Sequence, residues 1–419
     1  MGFQQGLSGL NAASKNLDVI GNNIANSSTT GFKASRTEFA SMIADALGTS
    51  SGTSAGIGVE VSAIAQQFTQ GNLTVTGNTL DLAINGDGFF TVTLPDGTTA
   101  YTRSGNFKLD STGNLVTNGS AQVMGYPIDP ETGLRTSSEP VALNFPTSQP
   151  IAAKQTTEIT AAFNLDARAT DAAGDATADP VIEATPRSTY GTSINVYDSQ
   201  GVATSVTLYF QKTATDNTWD VYDSLDDTAT AIGQITFDDN GNITGPAATS
   251  PDTGFALSLT VNPSSDNPNN LAPFTVTLNL DDVTQYGASF AVSDLSQDGY
   301  TVGQLTSINV DTNGMIITSY SNGVTRAEGQ VALATFRNSQ GLVNLGGNNW
   351  VETIASGQPV LGVPTEGAFG TLRAGALEDS NVDLTAELVN MMTAQRAYQA
   401  NAQTIKTQDQ VLSTLVNLR

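Results

Sequence analysis

The sequence contains no cysteine and no histidine, and these two absences exclude much of enzyme and metal chemistry. Without cysteine the chain has no disulfide framework, thiol nucleophile, zinc ribbon or iron–sulfur cluster. Without histidine it has no serine–histidine triad, no imidazole general base and no histidine-ligated metal. We therefore expect no cofactor, and no catalytic residue or metal site that depends on cysteine or histidine. Carboxylate-pair hydrolysis, calcium loops and a purely mechanical role remain open.

Positive charge is also scarce, since 16 lysines and arginines stand against 40 aspartates and glutamates, for a net charge of −24. A nucleic-acid binder neutralises phosphates with clustered basic residues, so we expect no nucleic-acid partner. The charge is uneven along the 419 residues. Residues 1–36 and 371–419 hold seven bases and six acids, a net +1, whereas 37–370 hold nine bases and 34 acids, a net −25. The two ends are nearly neutral, and the excess of acidic residues lies between them.

Long apolar runs are missing as well. No stretch of roughly 18 apolar residues occurs, so we expect no insertion into a membrane. The segment Met1–Leu10 lacks the basic region and the unbroken apolar stretch of a cleaved secretory signal. Low charge, many serines, threonines and asparagines, and no cysteine are nevertheless typical of an exposed surface protein. Export by a route without a cleaved signal would reconcile the two observations.

The N-terminal segment carries a seven-residue apolar pattern over residues 3–26. All 15 prolines fall between Pro95 and Pro364, which leaves both ends free to form uninterrupted helix. Alternating steps of four and three predict a coiled-coil stripe, flanked by Ala13 and Ile20, that consists of Phe3, Leu7, Leu10, Ser14, Leu17, Gly21 and Ile24.

The C-terminal segment carries a similar pattern. Ser380 is predicted to cap a helix, with Asp383 reaching back in the manner of a capping box. The helix would run for about 35 residues, and its stripe consists of Leu384, Leu388, Met391, Gln395, Tyr398, Ala402, Ile405, Asp409, Leu412 and Val416. One such stripe is usually the buried face of a globular helix. Two at opposite termini favour pairing into one coiled-coil domain, with other copies of the chain covering the apolar surface that is left.

Strand patterns fill the middle of the chain. The turn Asn85–Gly88 between two apolar segments predicts a hairpin. Three further units, at 107–115, 235–243 and 308–316, each place an Asp-x-x-Gly turn between two apolar strands. A calcium loop needs several oxygen ligands and often a bidentate glutamate. None of the three units supplies that glutamate, and tight hairpins favour the same Asp, Asn and Gly, so we interpret them as structural turns.

The predicted fold is multidomain and mainly β with terminal α-helices, and its β domains are nested and discontinuous. Residues 146–190, rich in proline, alanine and threonine, indicate a loop-rich junction, and 48–58 indicate a flexible loop. The predicted division is 1–30 with 378–419 as the terminal helical domain, 31–70 with 371–377 as a connecting segment, 71–146 with 299–370 as an inner β domain, and 147–298 as an inserted outer β domain.

Motifs at both ends and in the inner β domain resemble those of the bacterial flagellar axial proteins, the family of rod and hook subunits. The motifs are Leu7–Ala13, Leu17–Asn26, Thr30–Lys33, Asp81–Phe90, Tyr320–Gly323, Leu377–Leu384, Glu387–Met392 and Gln395–Asn401. Single positions that match are Gly21, Asn22, Asn23, Asn26, Gly31, Phe32, Asn381, Asp383, Gln395, Arg396 and Asn401. The central residues 147–298 match weakly.

The resemblance implies a helical homopolymer outside the cell, exported by the flagellar type III apparatus without a cleaved signal peptide. Rod-type members have a much shorter middle, so this length resembles a hook subunit, with a distal rod-type protein as the alternative. A hook subunit would bend while it passes torque from rod to filament, and its partners would be itself, the rod, the hook cap and the hook–filament junction. Polymerisation would use Phe3, Leu7, Leu10, Leu17, Ile20, Ile24, Leu384, Leu388, Met391, Tyr398, Ile405, Leu412 and Val416.

Two other classes of protein stay open on the residues alone. The 40 acids guarantee some close carboxylate pairs, so a secreted glycosidase is chemically possible, although 7% aromatic residues suggest no sugar-binding cleft. An adhesin or phage-tail-like β protein would also fit the strand patterns. Tyr398 is interpreted as a packing residue. Arg396 either pairs with an acid across a subunit boundary or lies on a solvated face.

Overall fold

The computed structural model describes residues 2–42, 58–130, 132–145, 149–226, 228–247, 254–263 and 271–417. Within these residues the chain is mostly β with one long helix near each end, which confirms the predicted fold class. The predicted loop 48–58 lies outside the described residues except for Gly58. The chain divides into two compact units, residues 1–148 with 306–319 and 325–419, and residues 149–305 with 320–324. No described helix combines the length and hydropathy needed to cross a membrane.

The helices and strands follow one another along the chain. Before the second unit they are α1 (Gly2–Ala25), β1 (Ser35–Met42), β2 (Gly58–Gln66), β3 (Leu73–Val75), β4 (Leu82–Asn85), β5 (Phe89–Thr93), β6 (Thr99–Thr102), β7 (Lys108–Leu109), β8 (Leu115–Val116), β9 (Gln122–Pro127) and β10 (Val141–Ala142). After it they are β21 (Leu305–Val310), β22 (Met315–Tyr320), β23 (Thr325–Val331), β24 (Leu333–Thr335), a 3₁₀ turn (Ser339–Gly341), β25 (Val343–Gly346), β26 (Asn349–Val351), β27 (Val360–Gly362), β28 (Thr371–Ala374), β29 (Ala376–Glu378) and α2 (Leu384–Asn417).

A large antiparallel sheet forms the centre of the first unit. Its main path runs β21-β22-β23-β9-β5-β6-β26-β25, and shorter strands branch from β5 and β9 in the middle of this path. Strands from both sides of the second unit's sequence therefore meet in one sheet. Aromatic rings pack edge to face on it, with Phe89 and Trp350 at 5.8 Å and Phe68 within 5.6 Å of both. Edge-to-face packing of this kind adds to the stability gained from burial alone.

The second unit is a sandwich of two five-stranded sheets. Its elements are β11 (Glu158–Asp166), a 3₁₀ turn (Arg187–Thr189), β12 (Gly191–Tyr197), β13 (Ala203–Lys212), β14 (Thr218–Tyr222), β15 (Gly233–Phe237), β16 (Ile243–Gly245), β17 (Ala256–Val261), β18 (Phe274–Asn279), β19 (Thr284–Tyr286) and β20 (Ala291–Gln297). One sheet is β12 to β16 in sequence order, and the other is built around β11. Alternate residues of β11 are buried, and they share one core with Phe210 and Trp219 of the facing sheet.

The three Asp-x-x-Gly units form the predicted turns. Strands β7 and β8 pair, as do β15 and β16, and β21 lies beside β22. In the first turn the carboxylate of Asp110 accepts hydrogen bonds from the main-chain N–H groups of Thr112 and Asn114, and Gly113 adopts φ +86°. The hydroxyl of Thr112 and the amide of Asn114 also hydrogen-bond this carboxylate, and together these bonds lower the pKa of Asp110 to about 2. The aspartate is therefore used to close the turn.

The prediction of a hairpin at Asn85–Gly88 is wrong, because the strands on either side of this turn do not pair with each other. Strand β4 pairs with β28, so that Leu82 lies opposite Ala374, whereas β5 pairs with β6, β9 and β24. Both Gly86 and Gly88 have positive φ, and they turn the chain from one sheet into another. The partner of β4 comes from nearly 290 residues further along the chain, beyond the reach of a local turn signal.

Candidate functional site: the paired termini

The two terminal helices pack against each other in antiparallel orientation. A Cβ on Gly6 would lie 3.0 Å from Cγ1 of Ile405, and one on Gly9 would lie 2.9 Å from Nδ2 of Asn401. Near the other end of α1, Nδ2 of Asn23 lies 3.4 Å from Oε1 of Glu387. As positions rise along α1 they fall along α2. The glycines let the two backbones approach closely.

The side chains at this seam coincide only in part with the predicted stripes. On α1 the buried side chains are Ala12, Val19, Ile20 and Asn23, and Gly6 and Gly9 lie close to side chains of α2. This face is rotated by about one residue, roughly 100°, from the predicted stripe. On α2 the sheltered positions share one helix face, and they include Met391, Ala394, Asn401, Ile405 and Gln408. The helices pair as predicted, but small and polar residues such as Gly9 and Asn401 contribute to the seam beside apolar ones such as Ile20 and Ile405.

Half of the twelve predicted polymerisation residues whose side chains are described therefore stay exposed in the single chain. Ile20 is buried, and Leu10, Leu17, Ile24, Met391 and Ile405 are partly buried. Six are exposed, namely Phe3, Leu7, Leu384, Leu388, Tyr398 and Leu412. The side chain of Val416 lies outside the described part of α2. Val389, Met392 and Val411 are further exposed apolar residues of α2.

Two asparagines join the helices to the strands beside them. Asn23 accepts a hydrogen bond from the N–H of Ser35 at 2.9 Å and donates one to its carbonyl at 2.8 Å, so its amide pairs with the main chain at the start of β1. Asn381 accepts from the N–H of Ala34 at 2.7 Å and donates to the carbonyl of Gln67 at 2.7 Å. Both were identified from motif resemblance alone. The structure places them where segments from the two ends of the chain meet.

The start of α2 differs from the prediction in its cap. The carboxylate of Asp383 accepts hydrogen bonds from the N–H groups of Thr385 at 2.9 Å and Ala386 at 3.1 Å, so Asp383 is the N-cap. Ser380 lies one turn earlier, where its hydroxyl accepts from the N–H of Val382. The sequence offered two residues of capping type three positions apart, and the second begins the helix.

A buried ion cluster lies beneath this junction, and no sequence argument identified it. Lys33 donates to Oε1 of Glu378 at 2.6 Å, and Arg103 donates to Oε2 at 3.2 Å. The side chains of Lys33 and Glu378 are fully buried, and that of Arg103 is 5% exposed. Burial lowers the pKa of Lys33, although the charge of Glu378 opposes that effect. The cluster joins the segment after α1, the end of β6 and β29.

The remaining motif residues divide into buried and exposed sets. Gly31 has φ +70°, and a Cβ there would lie 2.6 Å from the main-chain N of Ser104, so only glycine fits. Phe32 is buried beside it. The carbonyl of Asn22 accepts from the main-chain N–H of Asn26, and a Cβ added to Gly21 would meet nothing within 4 Å. Gln395 and Arg396 are exposed on α2.

Because the chain has no native cysteine, a disulfide can test the helix register directly. Gly9→Cys combined with Asn401→Cys is expected to form an intramolecular disulfide on mild oxidation, since the two positions are close enough to be bridged. Non-reducing electrophoresis and the masses of cross-linked peptides would detect it. Gly21→Cys with Asn401→Cys is the matched control, because position 21 lies about 18 Å further along α1. Equal cross-linking of both pairs would contradict the antiparallel register.

Among the described residues no group of three acidic, histidine or cysteine side chains is placed to hold a metal ion. The exposed faces of the two helices can bind a second protein surface, and the buried ion cluster beneath them is structural.

Comparison with known families finds matches along most of the chain. Models of the flagella basal body rod protein match residues 3–33, the flagellar hook protein FlgE/F/G D1 domain residues 83–162, the flagellar basal body protein FlaE D2 domain residues 164–300, and the flagellar basal body rod FlgEFG protein C-terminal region residues 373–418. The first and last of these matches are the segments that contain the two terminal helices.

Individual relatives match over the whole length. The flagellar hook protein FlgE of Salmonella typhimurium is 43% identical over 427 residues, covering 100% of both chains. That of Escherichia coli is 42% identical over 434 residues, again covering 100% of both. That of Treponema pallidum is 33% identical and covers 99% of this chain and 98% of its own. The crystal structure of Helicobacter pylori FlgE2 superposes with a TM-score of 0.51 at 16% identity, covering 73% of this chain and 100% of that one, a likeness of fold.

Proposed function

We propose, because this chain belongs to the flagellar hook protein family, that it is a structural subunit of the bacterial flagellar hook rather than of the rod. It assembles with copies of itself into a curved, flexible tube outside the cell. The tube joins the rod to the filament and passes torque through a bend. The chain carries no catalytic site in this role, and its partners beyond itself are the rod, the hook cap, the hook–filament junction and the type III export apparatus.

The observation that carries this proposal is the apolar surface left on the helix pair. The helices already cover each other, yet the exposed side chains of α1 and α2 include Phe3, Leu7, Leu388, Met392 and Leu412. Contiguous exposed apolar side chains mark surfaces that bind other molecules. Since these side chains lie at both termini, which carry almost no net charge, many copies can pack there without strong repulsion.

Each predicted domain has its own role in the tube. Residues 1–30 with 378–419 pack around the axis of the tube and resist twist, because close-packed helices deform little. Residues 31–70 with 371–377 connect them to the inner β domain, 71–146 with 299–370. The outer domain, 147–298, is the most acidic part of the chain and faces water. Its contacts with neighbours are polar and exchange at small cost, which permits bending.

Assembly of purified protein tests the proposal. The unaltered chain is expected to form tubes visible by negative-stain electron microscopy and to sediment at high speed. Leu388→Asp is expected to abolish both, because position 388 is exposed in the single chain but desolvated between copies. Gln399→Asp, at an exposed polar position of the same helix, is the matched control and should assemble. A chain that stays monomeric under all assembly conditions would contradict the proposed function.

Amide exchange distinguishes the isolated chain from the tube. The helix pair buries few large side chains, so we expect amides of residues 3–26 and 382–416 to exchange rapidly in dilute monomer and to be protected after assembly. Hydrogen–deuterium exchange followed by mass spectrometry measures both states. The core strands of each unit, such as β5 and β14, provide the internal control and should be protected in both. Protected helices in the dilute monomer would contradict this expectation.

A further inference from the structure

A notch between α1, α2 and β1 contains polar groups that the described residues do not satisfy. Its volume is about 420 Å³. Glu387 lines it, and Oε2 of that carboxylate is buried without a hydrogen-bond donor. Thr37 also lines it, is 8% exposed, and has a buried hydroxyl without a partner. Buried polar atoms are nearly always paired in native structures, so a carboxylate oxygen left in this state indicates a missing partner.

The uncompensated carboxylate in the notch favours a cationic partner. The other oxygen of Glu387 receives only a long contact of 3.4 Å from Asn23, so the carboxylate charge is poorly compensated. Asn16, Asn390 and Thr393 add further hydrogen-bonding groups around it. The one basic residue in the lining is Arg36, which is held 2.8 Å from Glu38. Glu387 is itself partly exposed, and rotation about its soft terminal torsion can turn the unpaired oxygen toward an incoming group.

The apolar walls of the notch indicate which side chains should lie next to that cation in the partner. Val19, Ile20 and Phe39 form an apolar side, and Phe39 is 48% exposed. A partner that presents apolar side chains next to a basic one would fill both halves of the notch. The terminal helices of the same chain carry such a surface.

That surface is the outer stripe of α2, which consists of Val389, Met392 and Arg396. These positions are spaced three and four apart, so they share one face of the helix, and all three are exposed. Arg396 lies nine positions after Glu387, which is about two and a half turns, so the stripe points away from the notch. One chain therefore cannot close the contact on itself, whereas a second copy can.

We propose that the notch receives the Val389–Met392–Arg396 stripe of a second copy of this chain, with Arg396 forming an ion pair with Glu387. A guanidinium suits the site because it donates several hydrogen bonds in a fixed plane to a carboxylate. Notch and stripe are different surfaces on opposite faces, so the contact is head to tail and each copy offers a free notch or a free stripe to the next. Contacts of this type propagate into rings or helical polymers. The inference rests on the proposed function and names the neighbour's contact at the termini.

A charge exchange tests it. Glu387→Arg and Arg396→Glu are each expected to raise the critical concentration for assembly at least about tenfold, because each leaves like charges facing across a desolvated contact. The double variant Glu387→Arg with Arg396→Glu restores the pair in reverse and is expected to return assembly to within about threefold of the unaltered chain. Pelleting at graded protein concentrations measures all four. Lys406→Glu, the same charge change elsewhere on exposed α2, is the matched control and should change little.

The possible outcomes distinguish failure of this inference from failure of the proposed function. If the unaltered chain does not assemble, the proposed function fails. If it assembles and the two single variants assemble equally well, the ion pair is absent and the inference is overturned. Failure of the double variant to recover, with tryptophan fluorescence showing intact β units, also overturns it. Loss of assembly in Lys406→Glu that is restored by adding Glu387→Lys would assign the notch to a different cation and overturn the pairing with Arg396.

Discussion

Replacing Glu378 by alanine is expected to destabilise the first unit by about 3–5 kcal/mol, because it leaves two buried cations without their counter-charge. Lys33 and Arg103 both bond this carboxylate, and neither has more than 5% of its side chain exposed. Glu378 also accepts the N–H of Gly71 at 2.9 Å, so that donor loses its partner too. The loss is a large fraction of the stability of an ordinary domain.

The two tryptophans make this effect measurable in one unit at a time. Trp350 lies in the first unit and Trp219 in the core of the second, so in a Trp219→Phe background emission reports the first unit alone. Urea unfolding followed by this emission gives the change in the free energy of unfolding. Glu366→Ala is the matched control, since Glu366 is exposed and 3.7 Å from Arg135, and its loss should cost less than about 1 kcal/mol. A similar small effect for Glu378→Ala would contradict the assigned role of the cluster.

The lysine of this cluster also gives stability a pH dependence of known sign. Burial lowers the pKa of Lys33 below 10.5, so between that lowered value and 10.5 the folded chain binds fewer protons than the unfolded chain. Stability from this residue therefore rises with pH across that window. Lys33→Met removes this rise while it keeps the ion pair between Arg103 and Glu378, which separates the role of the lysine from that of the carboxylate. Urea unfolding at a series of alkaline pH values measures the difference between the two chains.

The ion cluster also shows what the sequence could not predict. Lys33, Arg103 and Glu378 are separated by 70 and 275 residues, and nothing local distinguishes them from surface charges. The pairing of β29 with β3, together with the main-chain hydrogen bond from the N–H of Gly31 to the carbonyl of Glu378, brings Glu378 back to the segment that follows α1. A signal existed for Lys33, which lies in the Thr30–Lys33 motif, but the motif alone does not show that its side chain is buried.

Local sequence patterns predicted local structure well, but they failed where a strand pairs with strands from distant parts of the sequence. The helices follow from proline-free ends with seven-residue periodicity, and the Asp-x-x-Gly turns follow from glycine's access to positive φ. Strand β11 was missed because residues 146–190 look loop-rich, although Glu158–Asp166 alternates between buried and less buried positions throughout. Its Ala161 and Ala162 weaken the hydrophobic signal, and its neighbours β18, β19 and β20 all come from more than 100 residues later.

The helix seam was misplaced for a different reason. Sequence patterns give most weight to large apolar residues, and in this chain several of them, such as Leu7 and Leu388, stay exposed beside the partner helix. Within the chain, Gly6 lies against Ile405 and Gly9 against Asn401. The exposed large side chains remain available for the proposed contacts between copies, so a pattern can suggest polymerisation while it locates the intramolecular seam only in part.

Removing the second unit is expected to leave a chain that still assembles, but into straight or stiffer tubes. Residues 149–305 hold 20 acids and four bases, a net −16 out of −24 for the whole chain. Like-charged surfaces on neighbouring copies repel each other and prevent close packing between them. In the proposed mechanism these loose contacts exchange as the tube bends, so their removal leaves the more closely packed inner parts to set the shape.

The structure supplies a definite place for the excision. Lys154 and Tyr300 form a bridge in which each N–H donates to the other's carbonyl at 3.0 Å. A two-residue Asn-Gly turn closes such an antiparallel pair without strain, so residues 155–299 can be replaced by that dipeptide. The deletion removes Trp219, and emission from Trp350 then reports whether the first unit is folded.

The measurement is the curvature of tubes in negative-stain images, together with the spread of curvature along each tube. The unaltered chain, assembled in the same buffer, is the control, and its tubes should be curved with a broad spread. Tubes of the deletion variant should have curvature near zero and a narrow spread, because the contacts proposed to exchange during bending are gone. Tubes of ordinary curvature and flexibility, formed by a deletion variant whose Trp350 emission is native, would show that bending resides in the terminal and inner parts of the chain, and the role proposed for the second unit would fail.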